Sequence, residues 1–95
     1  MAVAIIMDWG DGATLDQYDE VIQKMGFEPN GAGAPDAQFH WAAKTDDGIR
    51  VCDVWDTREA FDAFAQDQIG PLTAEAGLGE PQMTFYDVHN TLHAA

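Results

Sequence analysis

Residues 45–64 constrain the fold more than any other part of the chain, because they predict a turn, a strand and a helix in direct succession. The pair Asp47-Gly48 is typical of a tight turn between two strands. The apolar run from Ile49 to Trp55 predicts a buried strand. Asp56, followed three residues later by Glu59, resembles the capping box that opens an amphipathic helix. We therefore expect a hairpin whose second strand leads directly into a helix.

The chain before residue 45 predicts a strand, a helix and a second strand. Residues 2–9 are apolar and end in a glycine-rich turn, as expected for a strand. Thr14 and Gln17 have the spacing of a reciprocal helix cap, and Gly26 is typical of a helix end. A helix should lie between these signals, followed by a loop over residues 28–36 that is rich in Gly and Pro.

The chain after residue 56 predicts one more helix and one more strand. The helix should begin at Thr57 and end at Gly70-Pro71, because proline in a helix interior loses a backbone hydrogen bond and clashes with the preceding turn. Residues 72–77 then form a short turn. The four predicted strands are residues 2–9, Ala37 to Lys44, Ile49 to Trp55 and Met83 to Asn90.

This order of elements, β-α-β-β-α-β, predicts a ferredoxin-like α+β fold in a single domain of 95 residues. Its antiparallel four-stranded sheet has the spatial order 4-1-3-2 and carries both helices on one face. Adjacent residues such as Ile5 and Ile6 are both apolar, although they point to opposite faces of the sheet. The face without helices therefore needs a cover, and we expect a homodimer in which two sheets pack together.

The charge of the chain argues against several kinds of partner. It has 17 acidic and 4 basic residues and a formal net charge of -13, so its surface repels nucleic acid phosphates and anionic lipid headgroups. We expect neither a nucleic acid partner nor a membrane partner. The single Cys52 cannot form an internal disulfide, and the first residues lack the basic segment of a signal peptide. These features predict a cytoplasmic protein.

Several motifs of the chain resemble those of a known group of proteins. They are Asp-Asp-Gly-x-Arg-Val-x-Asp-Val-Trp-Asp at residues 46–56, Glu-Ala-Phe-x-x-Phe at residues 59–64, Pro71, Gly77 and the closing Val88-His89-Asn90. With these motifs the chain resembles small bacterial proteins of the dimeric α+β barrel superfamily. That superfamily also contains cofactor-free quinol monooxygenases of antibiotic biosynthesis, haem-degrading enzymes and polyketide cyclases. The resemblance implies a dimer and, in each subunit, a pocket between the sheet and the helices.

His40 is the first candidate for catalysis, because it lies mid-strand between two aromatic residues, where a polar side chain needs a partner. If the hairpin turn has an even length, His40 shares a face with Asp53. Asp53 would then hold one tautomer of the imidazole and leave the other nitrogen for a substrate or water. If the turn has an odd length, His40 faces Cys52 instead and the pair does not form. A hydrogen-bonded core histidine without a catalytic role is the alternative.

Three polar candidates for ligand binding lie on the last strand. His89 and Asn90 can donate hydrogen bonds to a carbonyl or phenolate oxygen, and Tyr86 would help to orient that ligand. In the predicted sheet this strand and the strand of His40 are opposite edges, about 14 Å apart. The two histidines can therefore meet only between subunits of a dimer.

Arg50, Trp41 and Trp55 complete the set of candidate ligand-binding residues. Arg50 lies in a strand, where its guanidinium needs a carboxylate or an anionic ligand. Trp41 and Trp55 would form apolar walls of a pocket, although core packing alone accounts equally for aromatic residues in strands.

We expect no metal and no organic cofactor. His89 and His93 have the i, i+4 spacing of a metal pair on a helix, but no nearby Cys or Glu completes a set of ligands. The chain also lacks the glycine-rich motifs of nucleotide sites and the Gly-x-Ser-x-Gly elbow of hydrolases.

Two functions fit these features. The first is the binding or transformation of a small hydrophobic or aromatic molecule in the pocket, with His40 and Asp53 transferring a proton during oxygenation, cyclisation or isomerisation. The alternative is a non-catalytic dimeric module that binds haem, a metal or a metabolite, or a stress-associated protein. A cavity that exposes His40 favours the enzyme, whereas a closed core packed with Phe61 and Phe64 favours the module.

Overall fold

The computed structural model describes all residues 1–95 and contains a four-stranded antiparallel sheet with two helices. The strands are β1 (Val3–Trp9), β2 (Ala37–Lys44), β3 (Ile49–Trp55) and β4 (Gln82–Asp87), in the order β2-β3-β1-β4. The first helix is α1 (Leu15–Met25). The second consists of α2 (Arg58–Phe64), a π-helical segment (Ala65–Ile69) and α3 (Gly70–Glu75). The ferredoxin-like α+β fold and its strand order are confirmed.

The core lies on the face of the sheet that carries the helices. Alternate residues of β1 and β3 are buried, as the period of a strand requires. Phe61 of α2 is only 1% exposed, and its ring meets those of Trp55 and Phe85 edge to face, with centroids 5.9 Å apart in each pair. The second helix is therefore anchored to the middle of the sheet by aromatic packing.

The opposite face of the sheet, which we call the open face, is covered by no element of this chain. Phe39, Trp41 and Tyr86 lie there and are 63%, 41% and 58% exposed. Between them, Ile6 and Val54 are half-buried. The strands thus carry apolar residues on both faces, and those on the open face have no partner within this chain.

The signals that bound the first helix act as predicted. Thr14 Oγ1 accepts a hydrogen bond from the Gln17 backbone N–H at 3.2 Å. Gln17 Oε1 in turn accepts one from the Thr14 backbone N–H at 2.9 Å, which completes the capping box. Gly26 follows the helix with a φ of 87°, a left-handed conformation that glycine adopts without strain.

The hairpin between β2 and β3 turns through four residues, because Lys44 pairs with Ile49. The Thr45 N–H donates to the Gly48 carbonyl at 2.8 Å and closes this turn. Gly48 also packs against the end of β1, where a Cβ atom would lie 2.1 Å from the Trp9 carbonyl oxygen. A side chain at Gly48 would therefore push the hairpin away from β1.

The predicted cap at Asp56 is wrong, because the helix begins one residue later. Thr57 is the N-cap, and its Oγ1 accepts from the Ala60 N–H at 3.1 Å. The Asp56 N–H still bonds to the Asp36 carbonyl at 3.0 Å, so this residue belongs to the end of the sheet. Its carboxylate accepts from Gln38 Nε2 at 2.8 Å instead of capping the helix.

The predicted helix end at Gly70-Pro71 is also wrong, because the chain remains helical to Glu75. The Gly70 N–H donates to the Ala65 carbonyl, five residues back, so the helix widens into a π turn before the proline. Pro71 then occupies the first turn of α3, where its missing N–H and fixed φ are tolerated. A local widening thus lets the helix pass a residue that normally ends it.

The last strand is shorter than predicted, since β4 ends at Asp87 and not at Asn90. The Val88 N–H makes one more hydrogen bond, to the Ala2 carbonyl at 2.9 Å. Strand β1 begins at Val3, so the chain beyond Val88 has no strand to pair with. None of the helices has the length and apolar character needed to span a membrane.

Substitutions can distinguish Thr57 from Asp56 as the N-cap of α2. We expect Thr57→Ala to lower the free energy of unfolding by about 1 kcal/mol, because an N–H of the first helical turn loses its acceptor. Asp56→Asn keeps an oxygen for Gln38 and should change it by less than about 0.5 kcal/mol. Urea unfolding of both variants at one protein concentration measures the difference. A larger effect at Asp56 than at Thr57 would show that the cap is misassigned.

Candidate functional site

His40 and Asp53 face each other across the hairpin. The four-residue turn has an even length, and the register pairs His40 of β2 directly with Asp53 of β3. Their side chains point to the helix-covered face, where His40 Nδ1 lies 2.5 Å from Asp53 Oδ1. The structure therefore contains the even-length alternative, and Cys52 lies on the other face opposite Trp41.

Asp53 is buried and is held by two donors. It is 4% exposed, and its second oxygen, Oδ2, accepts from the Trp55 indole N–H at 3.0 Å. A buried carboxylate accepts hydrogen bonds only, so its contact with His40 places the imidazole proton on Nδ1. In the neutral imidazole this tautomer leaves His40 Nε2 as an acceptor.

Tyr18 of α1 completes the arrangement by hydrogen bonding through its hydroxyl to His40 Nε2. The two rings are nearly parallel, with centroids 5.9 Å apart and planes 11° apart. In the sequence Tyr18 has the helical spacing of the apolar residues Leu15, Val21 and Met25, so the pattern does not distinguish it from a core residue. A phenol hydroxyl in such a pattern usually has a hydrogen-bond partner when it is buried, and that signal could have indicated its role.

The environment keeps the Tyr18 hydroxyl protonated. Burial, together with the negative charges of Asp53 and Asp19, raises the pKa of Tyr18 from its usual 10.0 to about 12. The protonated phenol can therefore donate its hydrogen to Nε2 of a neutral His40 imidazole. We call the residues Trp55, Asp53, His40 and Tyr18 the acid-base network.

The acid-base network runs from the core to the edge of the sheet. Side-chain exposure rises from 6% for Asp53 to 37% for His40, and β2 is an edge strand. A carboxylate, an imidazole and a phenol linked in this way can move a proton between the protein interior and a molecule at the edge.

An apolar groove lies beside Trp55, between the end of α1, the following loop and α2. It encloses about 360 Å³, and its lining includes Met25, Phe27, Trp55 and Phe64. His40 and Tyr18 do not line it. The groove and the acid-base network are thus neighbours that share the Trp55 side chain.

Three of the predicted ligand-binding residues lie on the open face, away from the acid-base network. Trp41 pairs with Cys52 and Tyr86 pairs with Ala4, and both side chains point away from the helices. Arg50 is held by Asp8, with Nε 2.6 Å from Oδ1 and Nη2 3.1 Å from Oδ2. Of the predicted aromatic walls, only Trp55 is connected to His40, through Asp53, and it also lines the groove.

His89 and Asn90 follow β4, which lies at the opposite edge of the sheet from β2. Both are exposed, and within one chain they do not reach His40. His89 and His93 belong to a segment without helical structure, so their i, i+4 spacing does not place them on one helix face. No group of three His, Cys, Asp or Glu side chains has the arrangement of a metal site.

Comparison with known proteins supports the fold. No family model and no curated protein matches the chain. A similar solved structure is that of a Chloroflexus aurantiacus J-10-fl protein that carries the provisional name antibiotic biosynthesis monooxygenase. The two superpose with a TM-score of 0.66 over 98% of each chain, at 16% sequence identity. At this identity the likeness shows the ferredoxin-like fold and not the activity.

The pKa of Tyr18 makes stability depend on alkaline pH. An unfolded tyrosine ionises near pH 10, whereas folded Tyr18 resists ionisation until about pH 12. The raised pKa therefore contributes to the free energy of unfolding in full below pH 10. This contribution is lost as the pH rises from 10 to about 12. Urea unfolding between neutral pH and pH 12 should show a steeper loss for the wild-type protein than for Tyr18→Phe. Identical slopes would mean that the phenol is not held as described.

Proposed function

We propose that this protein is a homodimeric enzyme that abstracts a proton from a small aromatic, enolisable molecule without an organic cofactor. The observation that carries this proposal is the continuous hydrogen-bonded path from the buried Asp53 through His40 to the Tyr18 hydroxyl. A tyrosine with a raised pKa is more frequent at sites of chemistry than elsewhere in proteins, and here it is hydrogen-bonded to a histidine.

The proton step can be written with the residues of the network alone. The substrate C–H proton moves to the Tyr18 oxygen while the Tyr18 O–H proton moves to His40 Nε2. The products are an enolate and an imidazolium, and the phenol is restored. A free phenolate never accumulates, which agrees with a Tyr18 pKa of about 12. General acid-base catalysis of this type typically contributes about 10²–10⁴-fold.

Asp53 stabilises the imidazolium that this step creates. Its carboxylate lies 2.5 Å from His40 Nδ1, in surroundings where charges interact more strongly than in water. Trp55 holds the second carboxylate oxygen and so keeps Asp53 from turning away. The enolate can then be reprotonated at another carbon, cyclise, or react with dioxygen as a co-substrate. The name of the Chloroflexus protein supports including oxygenation among these outcomes.

A second candidate function is a binding module without catalysis. It is favoured because both nitrogens of His40 already have protein partners, and because His40 does not line the apolar groove. In that case the network would only join α1 to the sheet, and any small molecule would bind in the groove.

Proton abstraction can be measured directly as deuterium exchange from solvent into an enolisable aromatic ketone such as 2-tetralone. We expect the wild-type protein to accelerate this exchange. Tyr18→Phe and His40→Gln should each slow the catalysed rate by about 10²–10⁴-fold, because the proton path is interrupted. Mass spectrometry of the ketone, corrected for exchange without protein, gives the rates.

His93→Gln is the matched control, since it removes an exposed imidazole from the terminal segment and should leave the rate unchanged. If Tyr18→Phe and His40→Gln exchange the ketone as fast as the wild-type protein, the network is not catalytic. A wild-type rate equal to the background would instead support the binding module.

The proposed dimer rests on the open face. Phe39, Trp41 and Tyr86 present exposed aromatic surface there, and a second sheet packed against it would remove that surface from water. Edge strands of two subunits would come close in such a dimer. His89 and Asn90 of one subunit would then approach His40 of the other and could orient the substrate oxygen.

A charge on the open face should separate the subunits. We expect Trp41→Glu to be monomeric in sedimentation equilibrium, because the interface would have to bury an unpaired carboxylate. Leu92→Glu places the same charge on a side chain that is 89% exposed in the terminal segment, and it should remain dimeric. A monomeric wild-type protein would contradict the proposed assembly.

A further inference from the structure

The apolar groove beside Trp55 has the size and walls of a site for a flat molecule. Its volume of about 360 Å³ lies within the roughly 300–1,000 Å³ of small-molecule sites. Phe27, Phe64 and Trp55 follow one another along it, with ring centroids 6.5 Å and 5.1 Å apart. Phe27 and Phe64 are only half-buried, so they offer apolar surface that an aromatic ligand would cover.

The charged residues of the groove are all acidic. Asp36, from the loop before β2, and Asp67, from the π-helical segment, are the only ionisable side chains that line it. Both are exposed. The π turn that contains Asp67 is a feature that is frequent at functional sites.

Neither carboxylate of the groove is neutralised by the protein. Salt bridges join other groups, and they use three of the four basic side chains of the chain. They are Lys24 with Glu75, Arg50 with Asp8 and Arg58 with Asp62, together with the His40 and Asp53 pair. The two carboxylates thus remain available to a cation from outside.

This combination selects a ligand by both shape and charge. Aromatic walls attract an apolar ring, and their faces also attract a cation. Two unpaired carboxylates at the rim, in a chain with a net charge of -13, attract a positive group and repel an anion. A neutral ligand would gain only the apolar part of this interaction.

We infer that the groove binds a small aromatic amine, with its ring against Phe27 and Phe64 and its ammonium group at the rim formed by Asp36 and Asp67. This site lies outside the proton path of Tyr18 and His40, so it does not depend on the proposed enzyme activity. Tyr18→Phe should bind such an amine as the wild-type protein does.

Three probes with one ring system test the charge selectivity. Tryptamine is cationic at neutral pH, tryptophol is its neutral counterpart, and indole-3-acetate is anionic. Isothermal titration calorimetry should show tryptamine binding about threefold to thirtyfold more tightly than tryptophol, as two exposed charge pairs allow. Indole-3-acetate should bind most weakly. The preference for tryptamine should shrink as salt is added.

Two double variants of equal net charge test whether Asp36 and Asp67 cause the preference for tryptamine. Asp36→Asn with Asp67→Asn should abolish the preference for tryptamine over tryptophol. Asp46→Asn with Asp47→Asn removes the same charge at the β2–β3 turn, away from the groove, and should preserve it. Amide NMR signals of Phe27 and Phe64 should shift when tryptamine is added.

The inference is overturned by equal affinity for the three probes, by loss of the preference in both double variants, or by shifts confined to other residues. Absence of tryptamine binding to the wild-type protein also overturns it. Failure of the ketone exchange experiment would leave the calorimetric result unaffected, so the two proposals are tested separately.

Discussion

The buried carboxylate of Asp53 is the constraint on which the candidate site depends. At 4% exposure, an ionised carboxylate is tolerated only where donors satisfy both of its oxygens. His40 binds one oxygen and Trp55 binds the other. One buried charge therefore orients two rings, the imidazole at the sheet edge and the indole beside the groove. Tyr18 extends the same chain of hydrogen bonds into α1, so the charge also links helix to sheet.

Whether Asp53 meets His40 is decided by the hairpin. Successive residues of a strand point to opposite faces, so a slip of one residue would turn His40 to the open face and Trp41 toward the helices. The four-residue turn and the close approach of Gly48 to the Trp9 carbonyl prevent that slip. The same alternation separates the predicted ligand-binding residues, since Trp55 lies on the helix-covered face while Trp41 and Arg50 lie on the open face.

Local signals predicted much of the fold and failed where a contact at a distance intervened. The cap of α1 and its end at Gly26 depend on residues within one helical turn, and both are present. Asp56 has an equally good capping pattern, but its backbone is bound to the loop before β2, so Thr57 caps the helix instead. Gly70-Pro71 predicts a break, yet the chain widens into a π turn and continues as α3, which packs against α1.

By itself the sequence determined the order and type of the elements, the apolar residues on both faces of the strands and the acidic character of the surface. It also indicated His40 and Asp53 as a candidate pair. Periodicity, turn residues and charge are properties of neighbouring residues, so they can be read without a structure. Only the tertiary structure decided that Tyr18, 22 residues before His40, bonds to its ring, and that the groove has two unpaired carboxylates. Both features depend on how the helices and loops pack over the sheet, which the packing of the whole core determines.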